Sequence, residues 1–445
     1  MNQKEKDLIG NGIYDAKVLG IPKMLLLGLQ HMFAMFGATV LVPALTGLSV
    51  SDTLLFAGLG TLLFHLITKR KVPAFLGSSF AFLAGYAAIA PNGEKELLPY
   101  ACFGVACAGL LYLVLALVIK IFGANKVMRF FPPIVTGPII IAIGLNLSKS
   151  AISNCSTDWF IAIIAILIVI ICNIFGKGMI KIIPVILGVF GSYLIAGLMG
   201  KVDFSGVASA PWIGLPLKWN ETVFGLFMSG NVDTSLLITA VITIVPISLA
   251  TMVEHLGDIS AISSTVGKNF IEDPGLHRTL TGDGLATTIA ALFGAPANTT
   301  YGENTGVLTL TKVYDPKVIR LAACFAIIFS FSPKMDALIS AMPAATLGGV
   351  SLVLYGMISA IGVRNITENQ VDFTISRNVI IAALTLVLSI GINYSDAGAI
   401  VIQAENVTIS LTGLAVGALV GIILNAVLPD NTVKKEDINK GEYIN

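Results

Sequence analysis

Charge is what this sequence has least of. Of its 445 residues only 12% are Asp, Glu, Lys or Arg, about half the share of an ordinary soluble domain. Histidine occurs 4 times, tryptophan 3 times and cysteine 5 times. So few charges exclude a nucleic-acid-binding surface and a disordered scaffold, and they argue against a soluble enzyme. The net charge of +1 gives no hint of an acidic partner. The cysteines (Cys102, Cys107, Cys155, Cys172 and Cys324) are scattered without zinc-ligand or redox spacing. They read as small hydrophobes, and no metal site is expected. The polar opening MNQKEKDLIGNGIYDAKVLG leads into an apolar run too long for a signal peptide, so no cleaved targeting segment is expected.

What fills the chain instead is apolar: 55% hydrophobic residues and a mean hydropathy of +0.87. Its solvent is then mostly lipid. Forty-four glycines and 18 prolines fit packed or interrupted membrane helices, where both are better tolerated than in water. Apolar runs separated by polar or Gly/Pro breaks give fourteen segments. In the first half they lie near 24–47, 53–68, 72–90, 98–121, 130–148, 158–176 and 179–200. In the second they lie near 234–257, 279–294, 297–312, 317–333, 343–362, 376–394 and 409–429. The more polar stretch 201–233 reads as the junction of two repeats.

The positive charges test this count. With a cytoplasmic N-terminus, loops after even-numbered spans should carry the Lys and Arg residues. Only Lys95, Lys149, Lys201, Lys218 and Lys334 of the 27 fall on the predicted outer side. One span more or fewer would invert every later loop. Fourteen spans with both termini cytoplasmic is the expectation.

Seven spans per half is odd, so similar halves must lie in opposite orientations. That is the architecture of many secondary transporters, with the substrate near the midplane between repeats. The third span of each half is interrupted: VPAFLGSSFAFLAG (72–85) and APANTTYGENTGVLTLTK (295–312). Matching interruptions point to the binding site. Three acids stand in apolar surroundings, where each costs roughly 2.5–3.5 kcal/mol on insertion scales. Glu254 and Asp258 share a helix face near the end of span 8, and Glu303 precedes a half-helix starting near Asn304. A solvated helix end for the first two, and an N-capping role for Glu303, stay open beside a role in binding. Phe80 can stack on a planar ring or simply pack. Tyr301 and Tyr355 are candidates for lining a small cavity. Gln30 and His31, inside span 1, suit either an interhelical hydrogen bond or a substrate contact. His255 and His277 read as structural or loop residues, and His65 as packing near the cytoplasmic end of span 2.

The run Glu303-Asn304-Thr305-Gly306-Val307-Leu308-Thr309-Leu310-Thr311-Lys312 resembles the signature of the nucleobase–ascorbate transporter family: Gln or Glu, Asn, any residue, Gly, four residues, Thr, Lys or Arg. LGSSFAF (76–82), EHLGD (254–258), DPGLHR (273–278) and NTTYGEN (298–304) add to a match that spans nearly the whole chain. The resemblance implies an all-α polytopic membrane protein of two inverted seven-span repeats, with short β-strands in spans 3 and 10. It implies a core domain from 1–121 and 234–333, a gate domain from 122–200 and 334–429, the connection 201–233 and a cytoplasmic tail 430–445. It places a nucleobase between Phe80, Glu254, Gly302 and Glu303, with Ala38 and Tyr301 close by, Tyr355 on the gate side and Gln30, His31 and Asn304 in support. Uptake would be proton-coupled through Glu254 and Asp258, with no cofactor, in the inner membrane, by a chain that can pair through its gate domain.

Glu at the first signature position, rather than the Gln common in oxidised-purine transporters, resembles the family's uracil members. Those members carry His where this chain has Asp258, so the proton path is where it departs from them. Uracil has two N–H donors for carboxylates, two carbonyls for backbone N–H groups near Gly302, and a ring face for Phe80. A purine or anion carrier on the same scaffold is the rival reading, and a passive channel a weaker one. An intramembrane enzyme built on Asp258 and Asp283 as paired acids is more remote, because neither an HExxH motif nor a Gly-x-Gly-Asp run is present.

Overall fold

The structure is a computed structural model and describes residues 12–129, 132–230, 232–396, 398–404 and 407–429. The first half contains α1 (Ile21–Thr46), α2 (Val50–Ile67), and the strand β1 (Leu76–Ser78), which turns through Phe80–Phe82 into α3 (Leu83–Ile89). It continues with α4 (Leu98–Phe122), α5 (Pro133–Ser156), α6 (Trp159–Phe175) and α7 (Pro184–Leu198). The second half opens with α8 (Thr234–Ile244) and α9 (Ile247–Val266), which together form one long apolar element, followed by α10 (Leu276–Leu292). Next come β2 (Asn298–Thr300), α11 (Glu303–Thr311) and α12 (Pro316–Ser330), with α13 (Pro333–Ser340) bent 83° from α12. The chain ends its described course with α14 (Ala344–Glu368), α15 (Ser376–Gly391), the hairpin β3 (Ala399–Ala404) and β4 (Val407–Thr412), and α16 (Gly413–Val427).

Among the described residues, six helices are long and apolar enough to cross a bilayer alone. The other elements are shorter, and the two interrupted ones combine a strand with a half-helix. A strand rises roughly 3.3 Å per residue against 1.5 Å in a helix, so it gains depth with few residues. Solvation by lipid shows in the packing of α6. Ala162, Ala165 and Val169 face inward, while Ile163, Leu167, Ile171 and Ile174 are exposed. Small residues inside let helices approach closely, and large apolar ones outside meet a solvent as apolar as themselves. The helices sort into two packed sets: α1, α2, α4, α8, α10 and α12 in one, and α5, α6, α7, α14, α15 and α16 in the other.

β1 and β2, one from each half, pair antiparallel in the register Leu76↔Thr300, Gly77↔Thr299 and Ser78↔Asn298. Each strand takes the same support from the helix before it. Thr61 Oγ1 of α2 accepts from Leu76 N (2.9 Å) and donates to Leu76 O (3.3 Å). Thr287 Oγ1 of α10 accepts from Asn298 N (3.3 Å) and donates to Asn298 O (2.9 Å). Buried backbone polar groups at this depth have no water to turn to, and a threonine hydroxyl satisfies both at once. The repetition of this device marks the two halves as copies of one unit.

Three features differ from the reading of apolar runs. The helix that carries Glu254 and Asp258 does not end near 257 but continues to Val266, so both acids are interior to it. α14 extends to Glu368, past 362. A hairpin occupies 399–412 where a connection and the start of the span 409–429 were expected, and its β-branched run AIVIQA…VTISLT carried that signal. On the Lys/Arg-rich face, Lys71 ion-pairs with Asp273, and Arg278 Nη1 donates to Ile67 O at 3.2 Å. The ammonium of Lys71 holds the Asp273 carboxyl below the ordinary carboxylate range. The DPGLHR segment therefore ties the loop before α10 to the end of α2.

Candidate functional site

The strand pair sets the geometry. Ser79 N donates to Ala297 O and Tyr301 N to Phe75 O, both at 2.9 Å, which extends the pairing beyond the ladder at each end. Tyr301 is buried, and its hydroxyl donates to Ser78 O at 2.6 Å, with Thr39 Oγ1 3.4 Å away. Gly77 permits this approach: a Cβ there would lie 2.7 Å from both Tyr301 Cζ and Thr39 Oγ1. Past β1 the chain turns at Phe80, and past β2 it enters α11 at Glu303 with Gly302 at its N-cap. Thr305 N donates to Gly302 O at 3.0 Å, and the N–H groups before it in α11 precede any carbonyl that the helix itself can offer.

α9 packs against both the Phe80–Phe82 turn and α11. Along one stripe of α9, Ile247 and Ala250 are buried, whereas Glu254, Gly257, Ala261 and Ser264 are exposed. Gly302 and Gly306 of α11 are exposed as well, and a Cβ at Gly257 or Gly306 would meet nothing within 4 Å. Glu254 therefore stands where a closed stripe becomes an open one. The opening runs toward the Lys/Arg-rich end of α9. Asp258, half-buried, reaches Gly302: its Oδ1 lies 3.1 Å from the Cβ position there.

Behind this open face lies a line of polar contacts. His255 Nδ1 lies 3.1 Å from Asp283 Oδ2 and 3.1 Å from Thr300 Oγ1, and Thr300 Oγ1 donates to Asp258 Oδ2 at 3.4 Å. His255 Nε2 lies 3.0 Å from Thr279 Oγ1, whose own proton goes to Leu276 O. His255 and Asp283 are fully buried. His255, read in the sequence as structural or in a loop, lies within α9 and joins it to β2 and α10. Asp283 does not pair with Asp258; the imidazole and Thr300 stand between them. An ionisable residue in the apolar run 279–294 was the signal for Asp283. Nothing in the sequence indicated Thr300 or Thr279.

The remaining expected residues spread around this centre. Phe80, 9% exposed, meets Tyr355 edge-to-face with ring centroids 6.1 Å apart. Tyr355 is buried on α14, and Gly144 of α5 fits against its carbonyl, where a Cβ would lie 2.2 Å away. His31 is fully buried; Asn304 Nδ2 lies 3.4 Å from its Nδ1 and donates to its carbonyl at 3.4 Å. That is an interhelical link between α1 and the signature helix. Gln30 is half-buried beside it. Ala38 lies in α1 next to Thr39 and Glu303 begins α11, but the side chains of both lie outside the described residues.

Residues 22–398 match the permease family. A uracil permease of Bacillus caldolyticus is 41% identical over 432 residues, covering 94% of this chain and 95% of that protein. A uracil permease of Bacillus subtilis is 40% identical over 429 residues, 94% and 95% respectively. One from Escherichia coli is 36% identical over 412 residues, 90% of each. Among solved structures, the transmembrane domain of a cyanobacterial bicarbonate transporter, BicA, superposes with a TM-score of 0.60 at 13% identity, covering 93% of this chain and 99% of that one. SLC26A9 superposes with a TM-score of 0.63 at 12% identity, covering 93% and 66%. These likenesses show the fold, two inverted repeats of seven spans. The chain is a multi-pass membrane transporter rather than an enzyme, and it belongs to the nucleobase–ascorbate transporter family of permeases.

Proposed function

We propose that this chain imports uracil together with protons, by rocking a core domain against a gate domain. The observation that carries the reading is Glu254, an exposed acid interior to α9, the helix that packs against the Phe80–Phe82 turn and α11. An apolar wall, a carboxylate and the backbone N–H groups of a helix start match a flat ring with N–H donors and carbonyl acceptors. The relatives described as uracil permeases support that choice of ring.

In this reading Glu254 and Glu303 accept the ring N–H groups, while the backbone near Gly302 donates to a carbonyl. Phe80 covers one face, Ala38 and Tyr301 shape the pocket, and Tyr355 closes it from the gate side. Protonation of Glu254, with Asp258 next to it, neutralises the charge that would otherwise oppose movement through the bilayer. The line Asp258–Thr300–His255–Asp283 gives that proton polar neighbours on the buried side. The core would comprise 1–121 and 234–333, and the gate 122–200 and 334–429. Both termini would be cytoplasmic, in the inner membrane, and a homodimer would pair through the gate.

The test is uptake of radiolabelled uracil into proteoliposomes driven by a pH gradient. The wild-type chain should accumulate uracil and Glu254→Gln should not. Undiminished uphill uptake by Glu254→Gln would refute the coupling role, and displacement by unlabelled xanthine but not by unlabelled uracil would refute the substrate.

A further inference from the structure

On the Lys/Arg-rich face, away from Glu254 and α11, a cavity of about 440 Å³ is lined by Leu62, His65, Leu66, Arg70 and Arg320. It lies between the end of α2 and the first turns of α12. Two guanidinium groups meet there. Arg320 is half-buried, and among the described residues its Nη1 is shielded from solvent without a hydrogen-bond partner. The acid that acts on it electrostatically, Asp315, is engaged elsewhere: it accepts from Ala16 N at 2.8 Å and Lys317 N at 2.9 Å and pairs with Lys317 Nζ at 3.3 Å. Arg70 follows Lys69 in a turn where both residues have left-handed backbone, with φ of 59° and 56°. L side chains rarely adopt that conformation, and here Arg70 N is fixed to His65 O at 2.6 Å. The turn thus holds a second cation over the cavity at a conformational cost.

His65, also in the lining, is fully buried. His65 Nε2 lies 2.9 Å from Ala74 O. A carbonyl only accepts, so Nε2 carries the hydrogen and Nδ1 presents a lone pair, which has no partner among the described residues. The cavity therefore offers guanidinium donors for phosphate oxygens, with the buried His65 held in place behind them. Its margin is apolar. Leu66 is 64% exposed, Leu59 of the same helix is 42% exposed, and Cys324 is exposed one turn along α12 from Arg320. Basic pockets between membrane helices recognise anionic lipid head groups. We propose that this cavity binds the phosphate of an anionic phospholipid, with its acyl chains along Leu66 and Leu59. The site takes no part in holding the nucleobase and does not depend on the substrate reading.

The test uses the full-length chain in detergent, with lipid retention read by native mass spectrometry. Phosphatidylglycerol should be retained by the wild-type chain and phosphatidylcholine should not. Arg70→Gln together with Arg320→Gln should lower phosphatidylglycerol retention about tenfold. Arg70 is on the surface, so Arg70→Gln alone keeps the test sound if the double variant fails to fold; it should also lower retention. Phosphatidylglycerol should slow maleimide labelling of Cys324 in the wild-type chain only. Equal retention of the two lipids, or retention unaffected by either variant, would overturn the site. Complete displacement of phosphatidylglycerol by millimolar inorganic phosphate would overturn its assignment to a lipid.

Discussion

Asp283 illustrates how much a single buried side chain can depend on a distant one. It is fully buried, and the group it meets is His255, on another helix. Removing the carboxyl takes a polar neighbour from the buried imidazole, which keeps its contacts with Thr300 and Thr279, and such a loss typically costs about 1–3 kcal/mol. Asp283→Ala should therefore lower the unfolding midpoint in detergent far more than Asp283→Asn, which keeps the shape and a hydrogen-bonding group. Equal midpoints for wild type and Asp283→Ala would show that the pair does not hold α9 to α10. The same residue was visible in the sequence as an acid in an apolar run, but its partner was not. His255 looks unremarkable in the chain because its meaning lies in Thr300, Thr279 and Asp283, three residues on other elements.

At the scale of the element, the strand pair β1–β2 depends on Thr61 and Thr287. Each hydroxyl satisfies one backbone N–H and one backbone C=O. Thr61→Val or Thr287→Val keeps the shape but leaves both groups unpaired, a loss of about 1–3 kcal/mol in each case. Thr→Ser at either site should retain most of the stability, as measured by thermal unfolding in detergent. If valine and serine behave alike at both positions, the hydroxyls do not support the strands. The interruptions themselves were legible, because Gly, Ser, Thr and Asn break an apolar run wherever backbone must be satisfied in some way other than a helix. The true length of α9 was not. Its second half, HLGDISAISSTV, mixes Gly, Asp, Ser and Thr among its apolar residues, and such a stretch reads by hydropathy as the start of a loop.

Across the whole molecule, the contact between α1 and α7 crosses the proposed seam between core and gate. A Cβ at Gly37 would lie 2.8 Å from Val185 Cγ1 and 3.4 Å from Val185 Cβ, close to the Cβ separation of a disulfide. Beside it is an apolar crevice of about 30 Å³ lined by residues such as Phe36, Val40, Ile186 and Ile339. Such a surface can slide without breaking polar bonds. Gly37→Cys combined with Val185→Cys should, on oxidation, stop uracil uptake, and reductant should restore it, while each single variant stays active under the same oxidant. Full uptake by the oxidised, cross-linked chain would refute alternating access by movement at this seam.

The number of spans and their alternating direction follow from the sequence alone. Partition into lipid is decided segment by segment, and each Lys or Arg acts on its own loop. Interrupted spans were fixed in the same local way. What only the tertiary structure decided is which groups meet. β1 meets β2, His255 meets Asp283 and Thr300, and Glu254 lies on an exposed stripe of α9. Those partners come from different elements, and β1 and β2 from opposite halves of the chain. Their meeting depends on how inverted repeats pack, a distance in space that no local pattern of residues encodes.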